Sequence, residues 1–586
     1  MADYLIGLAV GPVQGFIAAA RRTRDLWFGS QILSEVSKAA ARQFQSDQCD
    51  LIFPAPNKPD ELQPGSPLNV GNKLMVKRTT DDPMQFIIAA KESARLMWKQ
   101  HAKQAYGELK VGVICDDIWK VQVEDVIELY GAWVKIGPEG YGTARKRLER
   151  LMGARKSTRN FIQTATSFNQ LPGYGLPKSS LDAARETVFT EDLMKEKRFL
   201  TDRRKLGLSA GEHLDCPGLV KRLGCDPEQF PPVTRIALEA WLRNINAQQL
   251  GEVRSSYEKL VKSQLATRVK AKRFDKLPFD GQLLYPARIE SVRKDLGENE
   301  TEALEALKII KSAVSNLHRL FGEPTPYFAV LVADGDKMGA FIDDHDRESD
   351  HINITRALAG FASKAREIVE NHQGASVYTG GDDVLGLLPV HTAVACARAL
   401  HDEFVSTMQQ LGIISESLPS LSVGLGLGHV LTPFNRLLDL GRRAEKLAKE
   451  GPEGTEKNDK RNALALIVGV RSGAEISVRG QWNQGLDGRL LEWMALYQQD
   501  KISDKTPYDL RLALGRVEWA KARPDFAKIA AQEARRVLTK KRAERGTKEF
   551  GKEEVELITQ AIKKVELEPL VSELLVARWL SEKAKE

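Results

Sequence analysis

Cysteine is scarce in this chain, with five in 586 residues: Cys49, Cys115, Cys216, Cys225 and Cys396. Their scatter speaks for a reducing compartment rather than a disulfide framework. Long apolar runs are missing too. None approaches the roughly 18–20 residues that span a bilayer, so no membrane contact is expected. The opening Met-Ala-Asp-Tyr-Leu-Ile-Gly-Leu-Ala-Val has no basic leader and is too short for a signal peptide. A cytoplasmic location is the expectation. Neither sign of charge dominates: 86 Lys and Arg face 79 Asp and Glu, for a net +7 and a pI near 8.9. That balance is compatible with nucleic-acid contact without requiring it. The remainder, 42% hydrophobic and 28% charged, is an ordinary globular composition. Its length calls for about three or four domains, each with its own core.

One stretch stands apart. Tyr378-Thr379-Gly380-Gly381-Asp382-Asp383-Val384-Leu385 sets two glycines and two carboxylates between short apolar runs. The pattern predicts two strands joined by a tight turn, in which the glycines permit positive φ and close backbone approach. Adjacent acids at a hairpin tip repel one another, and a divalent cation relieves that repulsion. Upstream, Tyr327-Phe328-Ala329-Val330-Leu331-Val332-Ala333 predicts a central strand that ends in Asp334-Gly335-Asp336-Lys337. An acid at a strand end beside an acidic hairpin suits two-metal phosphoryl or nucleotidyl transfer. Hard oxygen ligands hold Mg²⁺ or Mn²⁺, and the metals bind nucleotide phosphates and acidify the attacking hydroxyl. Asp334, Asp382 and Asp383 are therefore the candidate metal ligands and catalytic residues. Gly380, Gly381, Gly335, Asp336 and Lys337 are candidates for nucleotide contact. For an isolated Gly-Gly-Asp-Asp the alternative is a solvated turn.

With the upstream aspartate, the hairpin resembles the polymerase/cyclase palm of the large subunit of type III CRISPR effector complexes, the Cas-ten family. Within that family the chain resembles the Cmr-type (type III-B) branch. The same palm occurs in diguanylate-type nucleotidyl cyclases. The resemblance covers most of the chain. Residues 4–10 read as a strand running into Gly11-Pro12-Val13-Gln14-Gly15-Phe16-Ile17, followed by a helix pattern through Ala18–Trp27 and on to Phe28-Gly29-Ser30. That block, with Leu51–Pro56 and Pro67–Asn72, is similar to the opening of the family's first palm, and Leu176–Glu186 to its close. The fold class implied is α+β. A catalytically silent first palm of ferredoxin-like type spans 1–186, and a mostly helical middle domain spans 187–320. A second palm with the acidic hairpin spans 321–470, and a C-terminal all-α domain spans 471–586.

The resemblance implies that Gly29 and Ser30 line a nucleotide site facing the second palm; a packing turn is the alternative. The family's middle domain commonly holds a four-cysteine zinc site. Here Cys216, Cys225 and His213 lack a fourth ligand and the Cys-x-x-Cys spacing, so a degenerate finger without zinc is expected. Many members carry an HD nuclease domain ahead of the first palm. In this sequence the palm begins at residue 4, and His345-Asp346 and His401-Asp402 stand without further histidines at ligand spacing, so HD-type cleavage is not expected. The basic stretch at 145–159 and the pairs Arg535-Arg536 and Lys540-Lys541-Arg542 read first as solvated helix faces, with RNA or partner contact as the other option.

Within 321–470 the pattern predicts strand, helix, hairpin, helix, strand, helix, strand. Gly424, Gly426 and Gly428 fall inside a strand, where they either admit a base or ribose or simply pack. By resemblance to palm cyclases, Lys449 at a helix end would meet triphosphate charge. The function implied is target-RNA-activated synthesis of cyclic oligoadenylate from ATP. The implied partners are other Cmr-type subunits, guide RNA and target RNA. A subunit that only binds nucleotide and RNA, a stand-alone cyclic-dinucleotide cyclase and a template-directed polymerase remain open at this point.

Overall fold

The structure, a computed structural model, describes residues 1–158, 175–190, 193, 196–209, 211–294, 296, 300–413, 418–471, 473–544, 550–562 and 565–585. Four antiparallel strands form the first sheet: β1 (Ala2–Gly11), β2 (Asp50–Phe53), β3 (Lys73–Thr80) and β4 (Glu128–Lys135), in the order β2-β3-β1-β4. Alternation along β1 divides its side chains between two faces. Ile6, Leu8 and Val10 join the core beneath α1 (Thr23–Ser46) and α2 (Met84–Gly107). Leu5 joins the smaller core beneath α3 (Gly140–Ser157). The helix read from Ala18 through Trp27 is interrupted. A short helix ends at Ala18, and α1 begins at Thr23 because the Arg21 and Arg22 amides donate to the Asp25 carboxylate.

Helix α4 (Cys216–Leu223) packs on α1 and α2. It carries Arg222, whose Nε and Nη2 donate to Asp25 Oδ1 and Oδ2 at 2.6 and 2.8 Å with both side chains fully buried. Cys216 is buried at the start of α4, and Cys225 lies just past its end. A separate apolar core lies between residues 238 and 317, under one face of α5 (Thr301–Phe321).

The second sheet follows. Its elements are β5 (Tyr327–Gly335), α6 (Glu348–Asn371), β6 (Ala375–Gly380), β7 (Asp383–Pro389), α7 (Ala393–Gln410), β8 (Leu421–His429), α8 (Phe434–Glu450) and β9 (Ala463–Val468). That order is the one read from the sequence, with a short helix Met338–Asp343 added after β5. The strand order is β10-β9-β8-β5-β7-β6, antiparallel throughout except for the β8–β9 pair.

The tenth strand, β10 (Ile476–Gln481), corrects the expectation of an all-α C-terminal segment. Its alternation is brief, Ile476 and Val478 with Gly480, and is followed by long charged helical patterns that mask it. It gives β9 a partner where an open edge would otherwise stand. The helices α9 (Leu486–Gln498), α10 (Thr506–Val517), α11 (Phe526–Glu544), α12 (Phe550–Ile562) and α13 (Leu567–Lys585) then share one core with the second sheet, in which Leu490, Trp493 and Leu574 join Leu425 and Leu464.

The two sheet-bearing halves meet through an apolar core, in which Leu26 joins Val330 and Val377, and along a polar seam. Arg145 of α3 is buried and pairs with Glu149 and with Asp343 from the second half. Lys77 lies 3.1 Å from Glu348, and Tyr141 Oη lies 2.7 Å from His351 Nδ1. The basic stretch is therefore not a uniformly solvated face at Arg145. Arg159 lies outside the described residues, as do the side chains of Lys541 and Arg542. Among the described residues no helix is long and apolar enough to cross a membrane.

Candidate active site

The acidic hairpin is a two-residue turn. Gly380 and Asp383 pair across it, leaving Gly381 and Asp382 as the central residues. Gly381 has φ 79° while Asp382 is not in the positive region, the pattern of a II′ turn with glycine at its first central position. Gly380 is needed for a different reason. A Cβ there would come within 2.0 Å of Tyr378 Cζ, the ring of which lies against the turn. Gly335, the last residue of β5, faces the hairpin. A Cβ at 335 would lie 2.8 Å from both Cβ and Oδ2 of Asp382. Strand end and hairpin tip thus meet, as the sequence predicts, and the meeting depends on glycine.

The carboxylates here are crowded. Burial and the neighbouring Asp383 charge push Asp382 up to about 7. Asp383 presents its side chain to solvent, yet the protein around it still raises it to about 6. Burial raises the Tyr378 hydroxyl to about 12, helped by the charges of Asp383 and Asp382. Glu445 of α8 was missed by the sequence reading. It is raised to about 7 by burial and then by Asp383, Asp336 and Glu450. The available signal was its place one helical turn before Lys449, on the same face.

Asp334 and Lys449 form an ion pair, with the Lys449 ammonium also 3.3 Å from Glu445. Burial, with Arg461 nearby, lowers that ammonium to about 8. Asp336 is not gathered into this group. It is 3% exposed and turned inward, accepting from Ser420 Oγ at 2.7 Å, Ser422 Oγ at 2.9 Å and the Asn462 amide at 2.9 Å. The chain turns sharply just after it, with Lys337 at φ 59° and exposed. Gly29 is also elsewhere: a Cβ there would meet Lys221 Cδ at 2.9 Å, inside the first half, where Lys221 donates to the carbonyls of Phe16 and Ala19. Ser30 is buried one turn from Leu26, which shares a core with Val377 of β6, so it lies on the stripe of α1 that faces the second sheet. Gly424 and Gly426 admit helix rather than nucleotide. Their added Cβ atoms would lie 2.0 Å from the Glu445 amide nitrogen and 2.5 Å from that of Gly441.

Among the described residues, no three His, Cys, Asp or Glu side chains are set to hold a metal ion. The donor chemistry nevertheless fits a hard divalent cation. The hairpin aspartates are oxygen donors raised towards protonation, and Asp334 already carries the ammonium of Lys449 as a stand-in cation.

Residues 327–465 match the family model for the Cas10/Cmr2 second palm domain. Residues 5–103 match that for the N-terminal region of the CRISPR-associated protein Cmr2. The CRISPR system Cmr subunit Cmr2 of Pyrococcus furiosus is 23% identical over 532 residues, covering 75% of this chain. The match takes in 59% of that relative's own length. Cryo-EM structures of a type III-B Cmr-beta complex bound to cognate target RNA and in the apo state share the fold, with TM-scores of 0.65 and 0.62 at 13% identity. They align over 91% of this chain and 78% and 77% of theirs. With a Cas10/Cmr2 second-palm match at 327–465, a Cmr2 N-terminal match at 5–103 and the palm built around the acidic hairpin, the chain is similar over both regions to Cmr-type proteins of the Cas10/Cmr2 family.

Proposed function

We propose that the chain is the large subunit of a type III-B RNA-guided complex and that its second sheet makes cyclic oligoadenylate from ATP. Its partners in this reading are the other Cmr-type subunits, guide RNA and target RNA. The division into a silent first palm (1–186), a helical middle domain (187–320), a catalytic palm (321–470) and a C-terminal domain (471–586) belongs to the same reading. The observation that carries it is the meeting of Asp382 with the end of β5 at Gly335, next to Asp334.

Asp334, Asp382 and Asp383 would hold divalent cations. When bound, these supply the Lewis acidity that makes a ribose 3′-hydroxyl nucleophilic and the charge that offsets departing pyrophosphate. The chain's own residues do the rest. Gly380 and Gly381 leave the turn without side chains, so phosphates can approach its backbone. Lys449, ion-paired with Asp334, would be free to meet triphosphate charge were that carboxylate to hold a cation. Lys337, exposed just beyond β5, would add a second positive charge. Asp336 fixes the backbone beyond β5 through its bonds to Ser420, Ser422 and Asn462.

Turnover of ATP that is lost on chelation of divalent cations and on the double substitution Asp382→Ala, Asp383→Ala supports this reading. Nucleotide binding without turnover in the assembled complex would make the subunit a scaffold, and a cyclic dinucleotide product would make it a cyclase of the other class.

A further inference from the structure

The strand that carries the acidic turn is an edge strand of its sheet. Among the described residues, β6 stands at the end of the order β10-β9-β8-β5-β7-β6 and pairs on one side only. In an antiparallel pair, alternate residues direct their backbone groups away from the partner, so an edge strand leaves them open. At Thr379, immediately before Gly380, the opening is filled from the other half of the chain. Asn69 Nδ2 donates to the Thr379 carbonyl at 2.8 Å and reaches the Thr379 hydroxyl at 3.1 Å, across 310 residues of sequence.

Asn69 is itself held. The Val70 amide donates to Ser34 Oγ at 2.9 Å, and the Gly65 amide donates to Glu35 Oε1 at 3.2 Å. Lys38, buried with Glu35, donates to the Ser66 carbonyl at 2.8 Å. All three side chains project from α1. The loop from Gly65 to Val70 is thus tied to α1 at three points and extends the Asn69 side-chain amide to β6.

We propose that Asn69 is a positioning residue for the acidic turn: the first half of the chain supplies the hydrogen bonds that the edge strand lacks and so fixes Asp382 and Asp383 relative to the end of β5. Asparagine suits this task because its amide nitrogen donates to a main-chain carbonyl and a side-chain hydroxyl at once without adding charge beside two aspartates. The inference rests on reading the turn as catalytic, but its structural part can be tested apart from that reading.

The test uses the full chain in its assembled complex, with Asn69→Ala, Thr379→Val and the double variant. Hydrogen exchange at residues 380–384 is expected to quicken about five- to tenfold in Asn69→Ala, with β8 and β9 unchanged and the melting midpoint within about two degrees. Where ATP is turned over, kcat should fall about tenfold or more with KM nearly constant, since the loss is one of orientation. Thr379→Val keeps the carbonyl acceptor and should lose less, and the double variant should lose no more than Asn69→Ala alone. Unchanged exchange at the turn in Asn69→Ala overturns the proposal, as does quickened exchange throughout both sheets with a lowered melting midpoint. If the wild-type complex turns over no nucleotide, the function proposed above fails, while the exchange pattern still decides the role of Asn69.

Discussion

At the scale of single residues, the acidic turn is a problem of space solved three times by glycine. Gly381 supplies a positive φ, Gly380 yields its Cβ volume to the Tyr378 ring, and Gly335 yields its own to Asp382. These are separate causes and predict separate failures. Gly335→Ala should leave the fold intact but push Asp382 aside, cutting turnover about tenfold or more by misplacement of roughly an ångström. The check is steady-state kinetics beside an unchanged circular-dichroism spectrum. Gly381→Ala should instead strain the turn itself, at a cost of about 1–2 kcal/mol visible as a lower melting midpoint. The glycine–acid pattern was legible because turn chemistry is local. The inward turn of Asp336 was not. Asp-x-Asp at a strand end places both acids in the same register, and only Ser420 and Ser422, far along the chain, decide that one of them is buried. Glu445 was hidden for the same reason, since its proximity to Asp383 comes from how α8 crosses the sheet.

At the scale of elements, α8 rides on β8 because that strand is stripped of side chains at Gly424, Gly426 and Gly428. An alanine at 426 would place its Cβ 2.5 Å from the Gly441 amide nitrogen, against rigid helix backbone that has no rotamer to yield. Gly426→Ala is therefore expected to destabilise the chain by about 1–3 kcal/mol or more, read as a fall in the urea midpoint. It should also displace Lys449 and Glu445, which α8 delivers to the site. In the first half, the joint between α1 and α4 rests on the fully buried Asp25–Arg222 pair. Asp25→Asn removes the closer of the two carboxylates that face buried Arg222, leaving Glu212 at 3.7 Å, and should cost about 3 kcal/mol in the same measurement. The palm elements were legible because each apolar run has a length and boundary that choose strand or helix. β10 was not, since three alternating positions carry little signal beside the helical patterns that follow.

At the scale of the whole molecule, the strand that carries the acidic turn is contacted from both halves. The apolar core that Leu26 shares with Val330 and Val377, and the seam of Arg145 with Asp343, Lys77 with Glu348 and Tyr141 with His351, join the two halves, and Asn69 reaches from one to the turn of the other. No periodicity or spacing in the sequence announces such contacts, which is why Gly29 was expected near nucleotide but lies under Lys221 instead. The central claim is that this arrangement is a working synthase. It is tested most directly by assembling the chain with its guide RNA and partner subunits, adding ATP, Mg²⁺ and matching target RNA, and reading products by mass spectrometry. The account predicts cyclic adenylates that require target RNA and fall by about a thousandfold or more with Asp382→Ala plus Asp383→Ala. Intact ATP in a complex shown to have bound its target RNA would contradict it.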